Sequence, residues 1–534
     1  MNKSHYSIKH HACGSVQSSV NIPCANMLIT SSITTDLIAL FVTLAVLFIS
    51  YWKWTYQYWQ RRNVPYVQPQ IPFGNLTNSI KGKEHTSVTL KKIYDEMKRK
   101  GSKHAGIYMF NKCIYFPIDL DYIRNIMTKD FHHFVDRDFY VNKKDPLQAH
   151  LVNLKGNEWK NMRAKLTPTF TSGKMKMMFQ VMAECQNDLL TKMHEECLKN
   201  KPIDIKEVLA RFTTNIIGSC AFGLECKALE DEDSEFREYG KKMFSETKFG
   251  MFKRLFAMTF PNIARLFNVS LIHKDVADFI LKIVEDTIEY REKNNCSRND
   301  FLQLMMNLKK NPPTDIDDHD GKPLTMDEVA SQCLVFFAAG FETSSTLMSF
   351  ALYELAKHQD IQEKLRAEIN SVLDKHEKKI TYDSIQDMKY LNQVVDETLR
   401  KHPPGALLNR KCVKDYKVPG EDLVIEKGKS VMISVLGIHY DEEYYPNPTQ
   451  FDPERFNDEN KNSRHNFAYM PFGEGPRNCI GMRFGLLQSK LGLACLIKNY
   501  KFTVNKKTQE PLKYKQNNIV LAAQGEIWLN AQKI

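Results

Sequence analysis

The chain has 534 residues, 43% of them hydrophobic and 11% aromatic, with 74 Lys and Arg against 63 Asp and Glu for a formal net charge of +11. That is ample for one large core, or for two to three ordinary domains. The twelve cysteines are scattered without a C-x-x-C pair, which argues against zinc or an extracellular disulfide framework. The basic residues are spread without aromatic-interleaved patches, which argues against nucleic acid and for a redox partner or membrane surface.

Residues 1–26 carry Lys3, Lys9 and several histidines, which weaken the charge bias across the apolar segment behind them. They read as a non-native or disordered extension, with Met27 as the native start. Residues 27–52 read as a transmembrane anchor, its apolar centre being LIALFVTLAVLFISYW over 37–52. No small-residue cleavage site comes after it, so a signal peptide is the poorer reading. Trp54, Tyr56, Tyr58 and Trp59 then resemble an interfacial belt, and Lys53, Arg61 and Arg62 put the C-terminal side in the cytosol. Residues 53–75 form an aromatic, basic and proline-rich connector, with Pro65, Pro69 and Pro72 stiffening its end. Residues 76–534 are expected to be one domain.

Apolar residues at three- and four-residue spacing predict helices over 87–100, 157–166, 174–199, 234–244, 275–293, 325–358, 361–375 and 384–401. Extended segments are expected at 105–117, 406–418 and 430–437, and a polar loop at 309–323. This is a mainly α chain with small β-sheets, of α+β class, and not a doubly wound fold.

Five patterns carry chemistry. Trp159 and Arg163 stand one helical turn apart and can donate to one carboxylate, although a core tryptophan on an amphipathic helix explains them as well. Ala339-Gly340-Phe341-Glu342-Thr343 puts a glycine and an acid–hydroxyl pair inside an apolar helix, where both are locally unfavourable. A solvent-facing acid and a threonine bonded back to Ala339 is the bland alternative. Glu397 and Arg400, as E-x-x-R, share a helix face. Phe451-Asp-Pro-Glu-Arg-Phe456 is the fourth pattern. Last comes Phe472-Gly-Glu-Gly-Pro-Arg-Asn-Cys-Ile-Gly481, in which Gly473 and Gly475 allow a tight turn that aims backbone N–H groups at the Cys479 sulfur. Gly481 is expected to allow close packing as the chain enters an apolar helix from Met482.

The last pattern, F-x-x-G-x-R-x-C-x-G, resembles the haem-ligand loop of the cytochrome P-450 family, and the others match that family at corresponding places. Phrases near 169–179 and 218–226 look like insect microsomal members, particularly the xenobiotic-metabolising family six. The resemblance implies a haem domain of that fold binding haem b (iron protoporphyrin IX), with Cys479 as the axial thiolate and metal ligand. Arg477, Trp159, Arg163, Arg410 and Arg137 would serve the propionates, and Phe472 would pack beside the sulfur. An anionic sulfur on iron favours O–O cleavage. Gly340 would leave room for dioxygen, while Thr343 and Glu342 would deliver protons. Glu397, Arg400 and Arg455 would form a structural ion triad.

The expected activity is insertion of one atom of dioxygen into a lipophilic small molecule. The chain has no G-x-G-x-x-G, so electrons would come from NADPH through a separate membrane-bound cytochrome P-450 reductase, with a b-type cytochrome as a further donor. Lys160, Lys165, Lys174 and Arg483 are candidate docking contacts. Segments 249–272, 141–156, 336–343, 404–408 and 520–524 would shape the substrate pocket. The location implied is the endoplasmic reticulum membrane, single-pass, with the catalytic domain cytosolic. Xenobiotic oxidation is the leading role and oxidation of an endogenous lipid or hormone the alternative; a peroxide isomerase or a non-catalytic haem sensor are the rival classes.

Overall fold

The computed structural model describes residues 33–245, 247–310 and 323–534. The expectations for residues 1–26, for Met27 and for most of the loop 309–323 fall outside them. The chain divides into two units at Trp54. The first contributes the helix Ile33–Thr55, whose 23 residues rise about 34 Å at the usual pitch, enough for a hydrocarbon core of about 30 Å.

The second unit is mainly helical around one long buried helix. In chain order it contains α1 (Thr86–Arg99), β1 (His104–Met109), β2 (Lys112–Pro117), α2 (Gly156–Leu166), α3 (Ser172–Leu198) and α4 (Ile205–Ile217). Then come α5 (Lys248–Thr259), α6 (Pro261–Leu266), α7 (Lys274–Lys293), α8 (Met326–Lys357), α9 (Gln359–Lys375) and α10 (Lys389–Lys401). Strands β3 (Leu407–Lys411) and β4 (Ser430–Ser434), helix α11 (Met482–Asn499) and strands β5 (Tyr500–Val504) and β6 (Trp528–Lys533) complete the frame. One sheet runs β1-β2-β4-β3, with β2 and β4 parallel and the other pairs antiparallel. A second places β6 between β5 and the short strand Ile203–Asp204.

Helix α8 starts as the sequence predicts. Thr325 Oγ1 accepts from Glu328 N at 3.1 Å and Glu328 Oε2 from Thr325 N at 2.9 Å, a complete capping box. From Phe341 to Ala356 every residue but Thr343 is buried, so this stretch is a core helix wrapped on all sides. Two glycines set its close contacts. A Cβ on Gly340 would lie 2.2 Å from Ile217 of α4, and one on Gly492 of α11 would lie 2.6 Å from the Met348 sulfur. The space on the Cβ side of Gly340 is thus filled by a neighbouring helix.

Three expectations need correction. The segment 384–401 is two helices, because Met388 leaves helical geometry between Tyr382–Asp387 and Lys389–Lys401. Residues 435–437 of the expected extended segment 430–437 belong instead to the helical turn Val435–His439, capped by Ser434 Oγ on Gly437 N. Trp59 and Tyr56 do not form an interfacial belt. Trp59 is 1% exposed, donates from Nε1 to Ile107 O at 3.3 Å and fills the place where Gly106 has no side chain; Tyr56 is also buried. Arg62 pairs with Glu426.

Candidate functional site

The cysteine loop is wound by its own backbone. Cys479 N donates to Phe472 O at 2.9 Å, Asn478 N to Gly475 O and Gly473 N to Met470 O, both at 3.0 Å. Gly473 and Gly475 sit at φ 69° and 74°, in the left-handed region where side chains are strained. Gly475 is pinned further, since a Cβ there would lie 1.9 Å from Met127 O. Gly481 differs from expectation: its φ is −86° and a Cβ there would meet nothing within 4 Å. It caps α11 and aims its N–H at the Cys479 sulfur.

Cys479 is ringed by protein yet exposed, because it opens onto a cavity of about 220 Å³. Phe472, Phe484, Phe336, Phe170 and Leu166 give it apolar walls, and Ala339 and Gly340 of α8 line it too. Burial pushes the Cys479 thiol above its ordinary value, against the pull of the Gly481 N–H, Arg137 and Arg163.

Arg137, Arg163 and Arg477 also line this cavity, and Arg410 lies beside them. Among the described residues none of the four is ion-paired. Arg477 donates to Leu154 O and Val152 O, stacks over the Trp159 ring at 4.4 Å, and leaves its buried Nε without a partner. Arg137 Nη2 donates to Arg477 O at 3.3 Å, and Arg410 Nε is again buried and unpartnered. Burial, then the like charge of Arg137, brings both Arg410 and Arg477 down to about 9. Such a concentration of unneutralised buried charge facing a cavity requires an anionic ligand. Two carboxylates meeting these guanidiniums, with a flat apolar body between Phe-rich walls and one thiolate, is what haem provides; the residues fit that group.

Arg163 is committed elsewhere. Its two terminal nitrogens each donate at 2.8 Å to Asn478, one to the backbone carbonyl and one to the side chain, so it braces the cysteine loop from α2. Trp159 supports Arg477 by its ring face.

Just beyond the α8 residues that line the cavity, Thr343 Oγ1 donates to Ala339 O at 2.7 Å, the back-bonded geometry. Glu342 is buried, not solvent-facing. Lys206, at the start of α4, reaches it with Nζ at 3.2 Å from Oε1, and also donates to Ser345 Oγ and Thr346 Oγ1, both at 2.8 Å. Burial holds the Lys206 ammonium below its ordinary value, although Glu342 opposes the shift. Gln488 Nε2 of α11 donates to Gly340 O at 2.8 Å and to Ser344 Oγ at 2.5 Å, tying the two walls together.

Behind the cysteine loop, Glu397 and Arg400 are both fully buried and joined bidentately, at 2.7 and 2.8 Å. Arg455 Nε approaches Glu397 Oε1 at only 3.6 Å, a looser third member, while Asp452 N donates to the same oxygen at 3.0 Å. Arg400 Nη1 donates to His439 O at 2.9 Å. The neutral His439 ring links this brace to the loop: Nδ1 donates to Arg400 O and Nε2 accepts from Met470 N, each at 3.1 Å.

Lys206, His439 and Gln488 are absent from the sequence reading, since each meets its partner only through tertiary contact. Lys165, expected as a surface contact, is 8% exposed and is withdrawn; Lys160 and Arg483 are exposed. Of the expected pocket segments, 141–156 and 336–343 reach this cavity, while 404–408 and 520–524 meet each other through Leu521 N on Pro404 O at 3.0 Å.

Comparison with known proteins agrees. The family model "Cytochrome P-450" matches residues 67–529. The chain is 42% identical over 504 residues to cytochrome P-450 6a2 of Drosophila melanogaster, covering 93% of this chain and 99% of that protein. It is 40% identical over 500 residues to cytochrome P-450 6a9 of the same species, covering 93% and 99%. Against cytochrome P-450 6A1 of Musca domestica it is 41% identical over 497 residues, covering 92% and 96%.

Proposed function

The chain belongs to the cytochrome P-450 family and is a monooxygenase of that family; on that footing we propose that it inserts one oxygen atom into lipophilic foreign compounds, such as plant toxins or insecticides. The observation that carries the reading is Cys479 opening onto an apolar cavity that also holds unpaired arginines. Haem b held by the Cys479 thiolate would supply oxygen activation, by favouring O–O cleavage.

This chain's residues do the rest. Cys479 offers the thiolate, and a coordinated metal holds a thiol deprotonated against the burial that raises it. Arg477, Arg137 and Arg410 neutralise the carboxylates of the bound group, with Trp159 and Arg163 holding Arg477 and the loop in place. Phe472 keeps water from the sulfur. Glu342 and Thr343 hold and pass protons at the α8 wall, with the Thr343 hydroxyl leaving Ala339 O to do so. Glu397, Arg400 and Arg455 keep the loop rigid.

Electrons reach the site from NADPH through a separate reductase on the face of Lys160, Lys174 and Arg483, with a b-type cytochrome as a further donor. The apolar helix Ile33–Thr55 supports single-pass anchoring in the endoplasmic reticulum with the domain cytosolic. The test is full-length protein with reductase, NADPH and a panel of lipophilic toxins, lipids and hormones. Oxygen-dependent hydroxylation of the toxins is expected. Product from the lipids or hormones alone would overturn the xenobiotic role, and peroxide rearrangement without NADPH would overturn the reaction.

A further inference from the structure

Helix α8 faces the cavity at Cys479 through Gln332, Val335, Phe336, Ala339 and Gly340, a spacing of three and four residues that forms a single stripe along the helix. Four of the five are apolar or lack a side chain. Gln332 is the exception, and it is 0% exposed. A buried amide is costly unless its donors and its acceptor are matched.

Both ends of this amide reach one short stretch of chain. Gln332 Nε2 donates to Ala149 O at 3.0 Å, and Gln332 Oε1 accepts from Leu151 N at 3.0 Å. The same Nε2 donates to the neighbouring Ser331 Oγ at 3.2 Å. Residues 149–155 belong to no helix or strand, so no regular backbone ladder holds them. A little further on, Val152 O and Leu154 O accept from Arg477. The stretch is thus fixed at two points, on α8 by Gln332 and on the cysteine loop by Arg477. Between them Leu151 and Val152 form a wall of the cavity. The chain just before is braced by itself and by residue 270: Gln148 Oε1 accepts from Asn142 N at 2.9 Å, and Asp145 Oδ2 from Ser270 Oγ at 2.5 Å.

We propose that Gln332 is a positioning residue for substrate selection: its amide clasps Leu151 and Val152 at a fixed distance from α8 and so sets the size of molecule the cavity admits. The inference rests on the reading of this cavity as the haem and substrate site. A small lipophile fits beneath the clasped wall and packs against Leu151 and Val152. A bulky one must first displace the wall, and loses both hydrogen bonds of the clasp. Two neutral hydrogen bonds translate into roughly fivefold selection by size.

The test titrates haem-loaded full-length protein with two nitrogen-donor lipophiles, small 4-phenylimidazole and bulky clotrimazole, each followed by its shift of the Soret band. Gln332→Met keeps the side-chain length and removes the clasp. Affinity for 4-phenylimidazole should fall while that for clotrimazole holds or rises, so that their ratio changes roughly fivefold. Gln332→Glu keeps an acceptor for Leu151 N and loses the amide donor to Ala149 O. It should change the ratio about twofold, and it supplies the same test should Gln332→Met not fold. Hydrogen exchange is the independent readout: amides 149–152 should exchange roughly fivefold faster in Gln332→Met, with those of β2 unchanged. An equal loss of affinity for both ligands marks a merely structural role and would overturn the proposal, as would unchanged exchange over 149–152. Wild type without a red-shifted carbon monoxide band would overturn the haem reading and the size selection with it. An intact band with an unchanged affinity ratio overturns the clasp alone.

Discussion

Lys206 Nζ lies 3.2 Å from Glu342 Oε1, and the same nitrogen bonds Ser345 and Thr346 one turn further along α8. One cation from the start of α4 thus grips the turn of α8 just beyond Gly340. Without it, the buried Glu342 carboxylate would lack its charged partner.

Lys206→Met should therefore destabilise the protein. A fully buried pair broken on one side costs about 3–5 kcal/mol. The Lys206 side chain retains 24% exposure, so about 1–2 kcal/mol is expected after solvent screening. In a Glu342→Gln background the same change should cost measurably less. Thermal unfolding of the four proteins checks this; a coupling near zero would mean the contact is incidental.

The glycines of the cysteine loop should differ in tolerance. Gly475→Ala forces a Cβ to within 1.9 Å of Met127 O in a left-handed conformation, so loss of haem binding or of folding is expected. Gly473→Ala meets only Leu408, at 3.4 Å, and should cost about 1 kcal/mol from its φ. Gly481→Ala should be nearly neutral. Haem content and melting temperature of the three variants give the order.

Glu397→Ala strands the fully buried Arg400 guanidinium and should destabilise by about 3–5 kcal/mol. Arg455→Ala removes only the 3.6 Å contact and leaves Glu397 bound to Arg400, so it should cost far less. Denaturant midpoints compare them, and equal costs would contradict the unequal triad.

His439 makes stability depend on pH. Burial, then the Arg400 charge, lowers its pKa to about 3 from an ordinary value of 6.5. Above 6.5 neither folded nor unfolded ring is charged, and the ring's full contribution is present. As pH falls below 6.5 the unfolded ring takes a proton and the folded one does not, so stability is lost progressively down to about pH 3. At pH 5 this amounts to about 2 kcal/mol. The melting temperature should fall between pH 7 and 5 with a steeper slope in wild type than in His439→Asn, and equal slopes would remove His439 from the effect.

What could be read from sequence was local. The turn at Gly473 and Gly475, the Glu397–Arg400 face and the helix expected from 325 each depend on spacings of a few residues, and the structure has them. Helix α4 escaped because residues 208–217 are buried apart from Arg211, which erases the three-to-four periodicity that marks an amphipathic helix. Lys206 and His439 escaped because their partners lie far along the chain, and a lone Lys or His in an apolar stretch carries no signal of what it will meet. Trp59 was misjudged for a related reason: an aromatic run after an apolar helix has one composition whether it faces lipid or the cleft above Gly106.

The central claim is that Cys479 is the thiolate that holds haem iron. The carbon monoxide difference spectrum of the reduced full-length protein tests it most directly. Wild type should show a Soret band far to the red of histidine-ligated haem, and Cys479→Ser should lose that shift while Cys412→Ser keeps it. A red-shifted band that survives in Cys479→Ser would show that another group holds the iron.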